Sequence, residues 1–187
     1  MKTRIIQYIT IVAVAAVAFT SCNELDLSPT NKFTDADYWT SPEKASAVLS
    51  MAYSQMFNAN YFFANERLSD NLFEGRGNTS EKIITSGQAD AALGRFANEW
   101  KDCYEGIKTC HIFIDNVDKV PNLDPALKER MLAEIRFIRA YLFFRLSNHY
   151  GDVPLFDYNI SLQEANTIER SPREEVLTFV RNELNAI

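Results

Sequence analysis

The chain is poor in the residues that most often carry chemistry: it holds two histidines and three cysteines among 187 residues. No GxSxG or HExxH occurs, and no paired carboxylates stand on a recognisable cleft. Gly75-Arg76-Gly77 is not a phosphate loop, because no Lys-Ser/Thr follows and no strand pattern precedes it. Cys103, Cys110, His111 and His149 lack the close CxxC or HxxxH spacing of a zinc site, so neither metal nor cofactor is expected. Cys103 and Cys110 on one helix would place their Cα atoms about 10 Å apart, beyond the roughly 7 Å that a disulfide tolerates. They read as buried free thiols. Basic runs are missing too: 19 Lys and Arg face 25 Asp and Glu, a net charge of −6. A nucleic-acid partner is therefore not expected, and neither is an enzyme.

What is present begins with a leader. Lys2 and Arg4 precede an apolar stretch from Ile5 to Phe19, and Thr20-Ser21-Cys22 follows. Residues 1–21 read as a signal peptide, since the apolar stretch falls short of the about 20 residues that span a bilayer. Cys22 is placed as in a bacterial lipobox, where the thiol is acylated and becomes the mature N-terminus. Removing Lys2 and Arg4 with the leader moves the net charge from −6 to −8. Residues 22–40 read as a polar, proline-bearing tether and lead-in, and 41–187 as one helical domain.

Helix signals dominate that domain. Ser41-Pro42, Asp124-Pro125 and Ser171-Pro172 each pair a capping residue with proline at the first helical position, and Glu174 would complete a capping box with Ser171. The first start predicts a helix to about Phe57. Residues 58–95 read as irregular, and long connections of that kind are often functional. Trp100, Cys103, Tyr104, Ile107, Cys110, Ile114 and Val117 then mark the core side of a helix from about Phe96 to Val120. Trp100 reads as core because it shares that stripe. Residues 155–169 read as loop, followed by a helix holding Val176, Leu177, Val180 and Leu184. Its pattern still runs at Ile187, so the chain reads as the front of a longer protein.

The helix after Asp124-Pro125 is the most informative segment. Leu127, Met131, Ile135, Ile138, Leu142 and Leu146 form one stripe at 100° per residue. Ala133, Phe137, Ala140 and Phe144 form a second, on a different face. Two stripes predict neighbours on both sides, so that Phe137→Ala and Leu142→Ala should each cost about 2–5 kcal/mol. Arg136 and Arg139 point to a third side, solvated or paired with a carboxylate. Gly151 suits the left-handed position after the last turn, and Pro154 prevents the helix from resuming.

Four blocks resemble the SusD/RagB family of outer-membrane lipoproteins. They are Cys22-Asn23-Glu24-Leu25-Asp26-Leu27-Ser28-Pro29; Asp37-Tyr38-Trp39 with Pro42-Glu43-Lys44-Ala45; Trp100, Tyr104, Ile107 and Ile114; and Ala133-Glu134 through Arg139-Ala140-Tyr141 to Tyr150-Gly151-Asp152-Val153-Pro154-Leu155. Arg170-Ser171-Pro172-Arg173-Glu174-Glu175-Val176 continues the last block, and His111 stands where the family often has Asn. The resemblance implies an all-α fold of tetratricopeptide-like helical pairs, here a truncated SusD-like fold. It implies binding of an oligosaccharide or other nutrient at the cell surface, delivery to a TonB-dependent (SusC-like) transporter, and no catalysis. It also implies an outer-membrane location through acyl chains, such as palmitate, on Cys22.

A sugar site wants aromatic faces beside planar polar groups. The stretch from Asn60 to Arg95 offers Tyr61, Asn71, Arg76 and Asn78 as candidate ligand residues. The competing reading is a lipid-anchored helical scaffold of the cell envelope with no small-molecule ligand. Cys22→Ala should abolish acylation by mass spectrometry and remove the protein from the outer-membrane fraction. An unchanged membrane fraction would exclude the lipid anchor.

Overall fold

Capping chemistry places the long helices. In the computed structural model, which describes residues 38–57, 59–75 and 77–187, Ser41 Oγ accepts from the Lys44 N–H and opens α1, Pro42–Met56. Asp124 Oδ1 accepts from the Leu127 N–H at 2.9 Å and opens the 26-residue helix Pro125–Tyr150. That helix ends where Gly151 takes φ 73°, a backbone setting that favours glycine, and its N–H returns to the Ser147 carbonyl. Residues 1–37 and Arg76 lie outside the described residues, so the leader, Cys22 and most of the tether do too.

Two stretches expected as irregular contain helices. Residues 58–95 hold α2, Ala59–Glu66, and α3, Ser80–Thr85. No residue of α2 is buried, so it carries no apolar stripe to betray it. Thr79 Oγ1 caps α3 by accepting from Lys82 N. Next comes α4, Gly94–Asn116, which tightens into a 3-10 turn at Val117–Lys119, and then α5, Pro125–Tyr150. In the 155–169 stretch, Ser161 and Glu164 form a reciprocal capping box on the short α6, Leu162–Ala165.

The box expected at Ser171 and Glu174 does not form. Ser171 spends its backbone on an isolated antiparallel bridge with Val153. The first N–H of α7, Arg173–Asn185, instead donates to Asp152 Oδ1 at 2.9 Å. A residue from the preceding turn thus does the capping, favourably placed at the positive end of the helix dipole. No strand occurs among the described residues.

Helix α5 is central and packs against α1, α4 and α7. Its contacts with α4 run in opposite order along the two helices, from Tyr150 on Phe96, through Arg145 on Glu99, to Arg139 beside His111. Contacts with α7 run the same way, Arg139 with Glu183 and Phe143 with Phe179. Both neighbours are therefore antiparallel to α5. Met131, Ile135, Ile138, Leu142 and Leu146 are buried as the first stripe requires, and Leu127 is partly so. The second stripe is different. Ala140 is buried, but Phe137 and Phe144 are 41% and 45% exposed, because no described element lies over them. Phe143 is buried in their place, facing α4 and α7.

Close approach of α4 and α5 depends on Gly106. A Cβ built there would stand 2.7 Å from Leu142 Cδ1, and Leu142 is wholly buried. Gly106→Val should destabilise the protein by about 2–3 kcal/mol, since overpacking outweighs the about 0.4 kcal/mol recovered in helix propensity. Leu142→Ala should cost about 2–5 kcal/mol, whereas the exposed Phe137 should cost under about 1 kcal/mol on truncation. Urea unfolding midpoints measure all three, and a Phe137→Ala loss equal to that of Leu142→Ala would contradict this packing.

Candidate functional site

Two charged side chains inside the core lead to two concave surfaces. Arg145 sits on the α4 side of α5, in an otherwise apolar Leu-Phe-Phe-Arg-Leu run, and its side chain is 8% exposed. A buried guanidinium demands a carboxylate, and Glu99 of α4 supplies it, with Arg145 Nε donating to Glu99 Oε1 at 3.2 Å. The same oxygen lies 3.0 Å from His149 Nδ1. Burial pushes the Glu99 carboxyl up, but His149 and Arg145 outweigh it and hold it below the ordinary value.

The outer face of Arg145 carries Tyr61. The ring of this α2 residue lies 3.5 Å from Arg145 Cζ, a cation–π contact. Burial drives the Tyr61 phenol up to about 12, against the opposing effects of Arg145 and Asn65, so it stays a neutral hydroxyl. Nearby, Arg95 donates to Asn65 Oδ1 at 2.5 Å and pairs with the buried Glu81 of α3. Arg67 joins the network through Glu81 Oε2 at 3.9 Å and also pairs with Glu74 at 2.9 Å. These pairings hold the short helices α2 and α3 against the start of α4.

Between them opens a recess of about 580 Å³, lined in part by Asn60, Tyr61, Arg95, Asn98, Asp102 and Arg145. Of the four residues expected to hold a ligand, only Tyr61 lines it. Asn71 and Asn78 are exposed and stand outside the lining, and Arg76 lies outside the described residues. Asn98, Asp102, Glu99 and Arg145 were not anticipated. The available signal was an isolated charge within an apolar helical face, at Arg145 and again at Glu99, one residue before Trp100.

A second, apolar cleft of about 510 Å³ lies between α4 and the 154–168 segment. Trp100 is partly buried and lines it, so this residue is packed against the core on one side and open on another. Tyr104 and Phe156 stack at 5.9 Å between ring centroids, and the Tyr104 hydroxyl donates to the Pro154 carbonyl at 2.8 Å. His111, buried at the base, has Nδ1 3.3 Å from Arg139 Nη1. Arg139 donates to Glu183 Oε2 at 2.5 Å, and Arg136 shares that carboxylate. Burial raises the Glu183 carboxyl, yet Arg136 and Arg139 bring it below the usual value.

No group of histidines, cysteines and carboxylates among the described residues could hold a metal. Cys103 and Cys110 are free and buried, and burial pushes each thiol up to about 12. They are protonated and poor nucleophiles.

Burial, with Arg139 second, lowers His111 to about 4. The folded protein keeps this imidazole neutral while the unfolded chain protonates it near pH 6.5. The unfolded state therefore binds more protons between those values, and stability falls as pH drops from about 6.5 towards 4. His111→Asn should flatten that limb, reducing the loss between pH 7 and pH 4.5 by about 1–3 kcal/mol. Urea titrations of both proteins at the two pH values check it; equal slopes would contradict the assignment.

Residues 25–186 match the family model described as "Starch-binding associating with outer membrane". A SusD-like protein of Bacteroides ovatus is 25% identical over 195 residues, covering 99% of this chain and 34% of that protein. A SusD-like protein of Formosa agariphila is 29% identical over 118 residues, covering 62% of this chain and 22% of its own length. Among solved structures, a SusD-like carbohydrate-binding protein of Bacteroides fragilis superposes with a TM-score of 0.68 at 28% identity, over 80% of this chain and 31% of the other. The chain thus spans between a fifth and about a third of the length of these relatives. With the helical fold and the family model agreeing over nearly the whole sequence, this chain belongs to the SusD-like family.

Proposed function

We propose that the protein binds a carbohydrate at the cell surface and passes it to a TonB-dependent (SusC-like) transporter, held at the outer membrane by a lipid on Cys22. The observation that carries this reading is the family match across residues 25–186, joined to the likeness to a carbohydrate-binding SusD-like protein of B. fragilis. The recess beside Tyr61 supports it. Its lining combines amides, carboxylates and guanidiniums, groups that can each replace water at a sugar hydroxyl. Its volume lies within the about 300–1,000 Å³ of small-ligand sites. Asn98 and Asp102, one turn apart on α4, are the residues proposed to hydrogen-bond the ligand, and Tyr61 closes one side. The antiparallel order of α4, α5 and α7 is compatible with tetratricopeptide-like pairing, and we include that pairing in the proposal.

A glycan array followed by calorimetry on the full-length protein tests the ligand, and co-purification from membranes tests the transporter. Asn98→Ala and Asp102→Ala, both exposed positions, should each weaken glycan binding about tenfold, or about 1.4 kcal/mol, with little change in unfolding midpoint. A protein that binds no glycan and brings down no transporter would return the reading to an envelope scaffold.

A further inference from the structure

The charges that line the recess beside Tyr61 do not balance. Arg95 and Arg145 stand with three carboxylates, Glu81, Glu99 and Asp102, which leaves one negative charge in excess. Both guanidiniums already have partners within the wall. Arg95 pairs with Glu81 and donates to Asn65 Oδ1 at 2.5 Å and to the Ala64 carbonyl at 3.4 Å. Arg145 Nε donates to Glu99, its Nη1 donates to the Met56 carbonyl at 3.3 Å, and the Tyr61 ring covers its face. An anion entering the recess would have to draw a guanidinium away from a buried carboxylate, and that carboxylate would be left without its counter-charge.

Asp102 differs from the other two carboxylates. It is exposed on α4, one turn after Asn98, whereas Glu81 and Glu99 are buried. Among the described residues, no hydrogen bond or ion pair engages its carboxylate. Asp102 is thus a full charge open to a ligand. The start of α4 at Gly94 also lines the recess and brings about half a positive charge. Gly94 lies about 12 Å along the helix from Asp102, farther than the about 8 Å Debye length of physiological salt. A ligand that reaches Asn98 and Asp102 therefore sits at the negative end of the recess.

We propose that the recess takes uncharged or ammonium-bearing sugars and rejects uronates, and that Asp102 sets this preference. The inference rests on the carbohydrate reading and narrows the class of glycan. A sugar hydroxyl can donate to the Asp102 carboxylate, and an ammonium gains a charge-assisted hydrogen bond there. A ligand carboxylate at the same place meets like charge in a partly desolvated recess, where repulsion is stronger than in water. Asn in place of Asp102 keeps an acceptor oxygen and removes the charge. Binding through hydroxyls should survive that change, and the discrimination should not.

The test is an array of matched oligosaccharides probed with the full-length protein and with its Asp102→Asn variant. Each neutral glucan and galactan is printed beside the same chain oxidised to the uronate at C6, and glucosamine oligomers beside their N-acetylated forms. In every pair retained, the less anionic or more cationic member should bind about tenfold more tightly, and high salt should shrink that ratio. Asp102→Asn should bring the ratios towards one while leaving affinity for neutral glycans within about twofold. The position is exposed, so an unchanged unfolding midpoint would separate lost discrimination from lost fold. A uronate bound as tightly as its neutral partner, or ratios unaltered in Asp102→Asn, would overturn this proposal and leave the carbohydrate reading standing. Retention of no glycan at all would overturn both.

Discussion

Two buried arginines on α5 impose the arrangement of the other helices. Arg139 and Arg145 have side chains 7% and 8% exposed, and neither can lose its charge. Each must meet a carboxylate brought from elsewhere in the chain: Glu183 of α7 for Arg139, and Glu99 of α4 for Arg145. Pairs of this kind add little net stability, because desolvation offsets most of the attraction. Removing one partner, however, leaves a stranded charge at a cost of about 3–5 kcal/mol. A slip of α4 or α7 along α5 would do the same. The pairs therefore act mainly on register, while the apolar core from Ile107 to Leu146 supplies most of the driving force.

Each arginine also connects the core to one concave surface. Arg145 supports Tyr61 through its flat face and so defines one side of the polar recess. Arg139 lies beside His111, a buried residue of the apolar cleft's lining, with Nη1 3.3 Å from Nδ1. The two surfaces lie along the same helix, α4, yet differ in character. Around the recess, α2 and α3 bring amides and charges; across the cleft, the 154–168 segment brings aliphatic side chains.

The Gly151-Asp152-Val153-Pro154 turn joins these parts. Gly151 reverses the chain, Val153 pairs its backbone with Ser171, and Asp152 caps α7 while its carbonyl accepts from Arg170. Pro154 then accepts from Tyr104. Four consecutive residues thereby fix the end of α5, the start of α7 and the edge of the cleft. That concentration of roles gives a physical reason for a family motif to sit at this turn.

Features set by neighbours in the chain were legible from the amino acids alone. Ser41-Pro42 and Asp124-Pro125 start helices, and Gly151 ends one, because a cap or a left-handed φ involves residues within a turn of each other. The stripe from Met131 to Leu146 and the buried thiols followed from periodicity, and the SusD-like resemblance from residue identities. Contacts between distant segments were not legible. Glu99 and Arg145 stand 46 positions apart, so nothing local says that one will neutralise the other. Ser171-Pro172 looked like a cap, but tertiary pairing with Val153 claimed the Ser171 backbone and gave the helix start to Asp152. Phe137 and Phe144 have the spacing of a buried face and are exposed, since burial depends on what lies opposite. Tyr61 was nameable as an aromatic in a long connection, yet its companions Asn98 and Asp102 come from a different helix. Local backbone energetics are written in the order of residues; the recess and the cleft exist only where packing brings remote residues together.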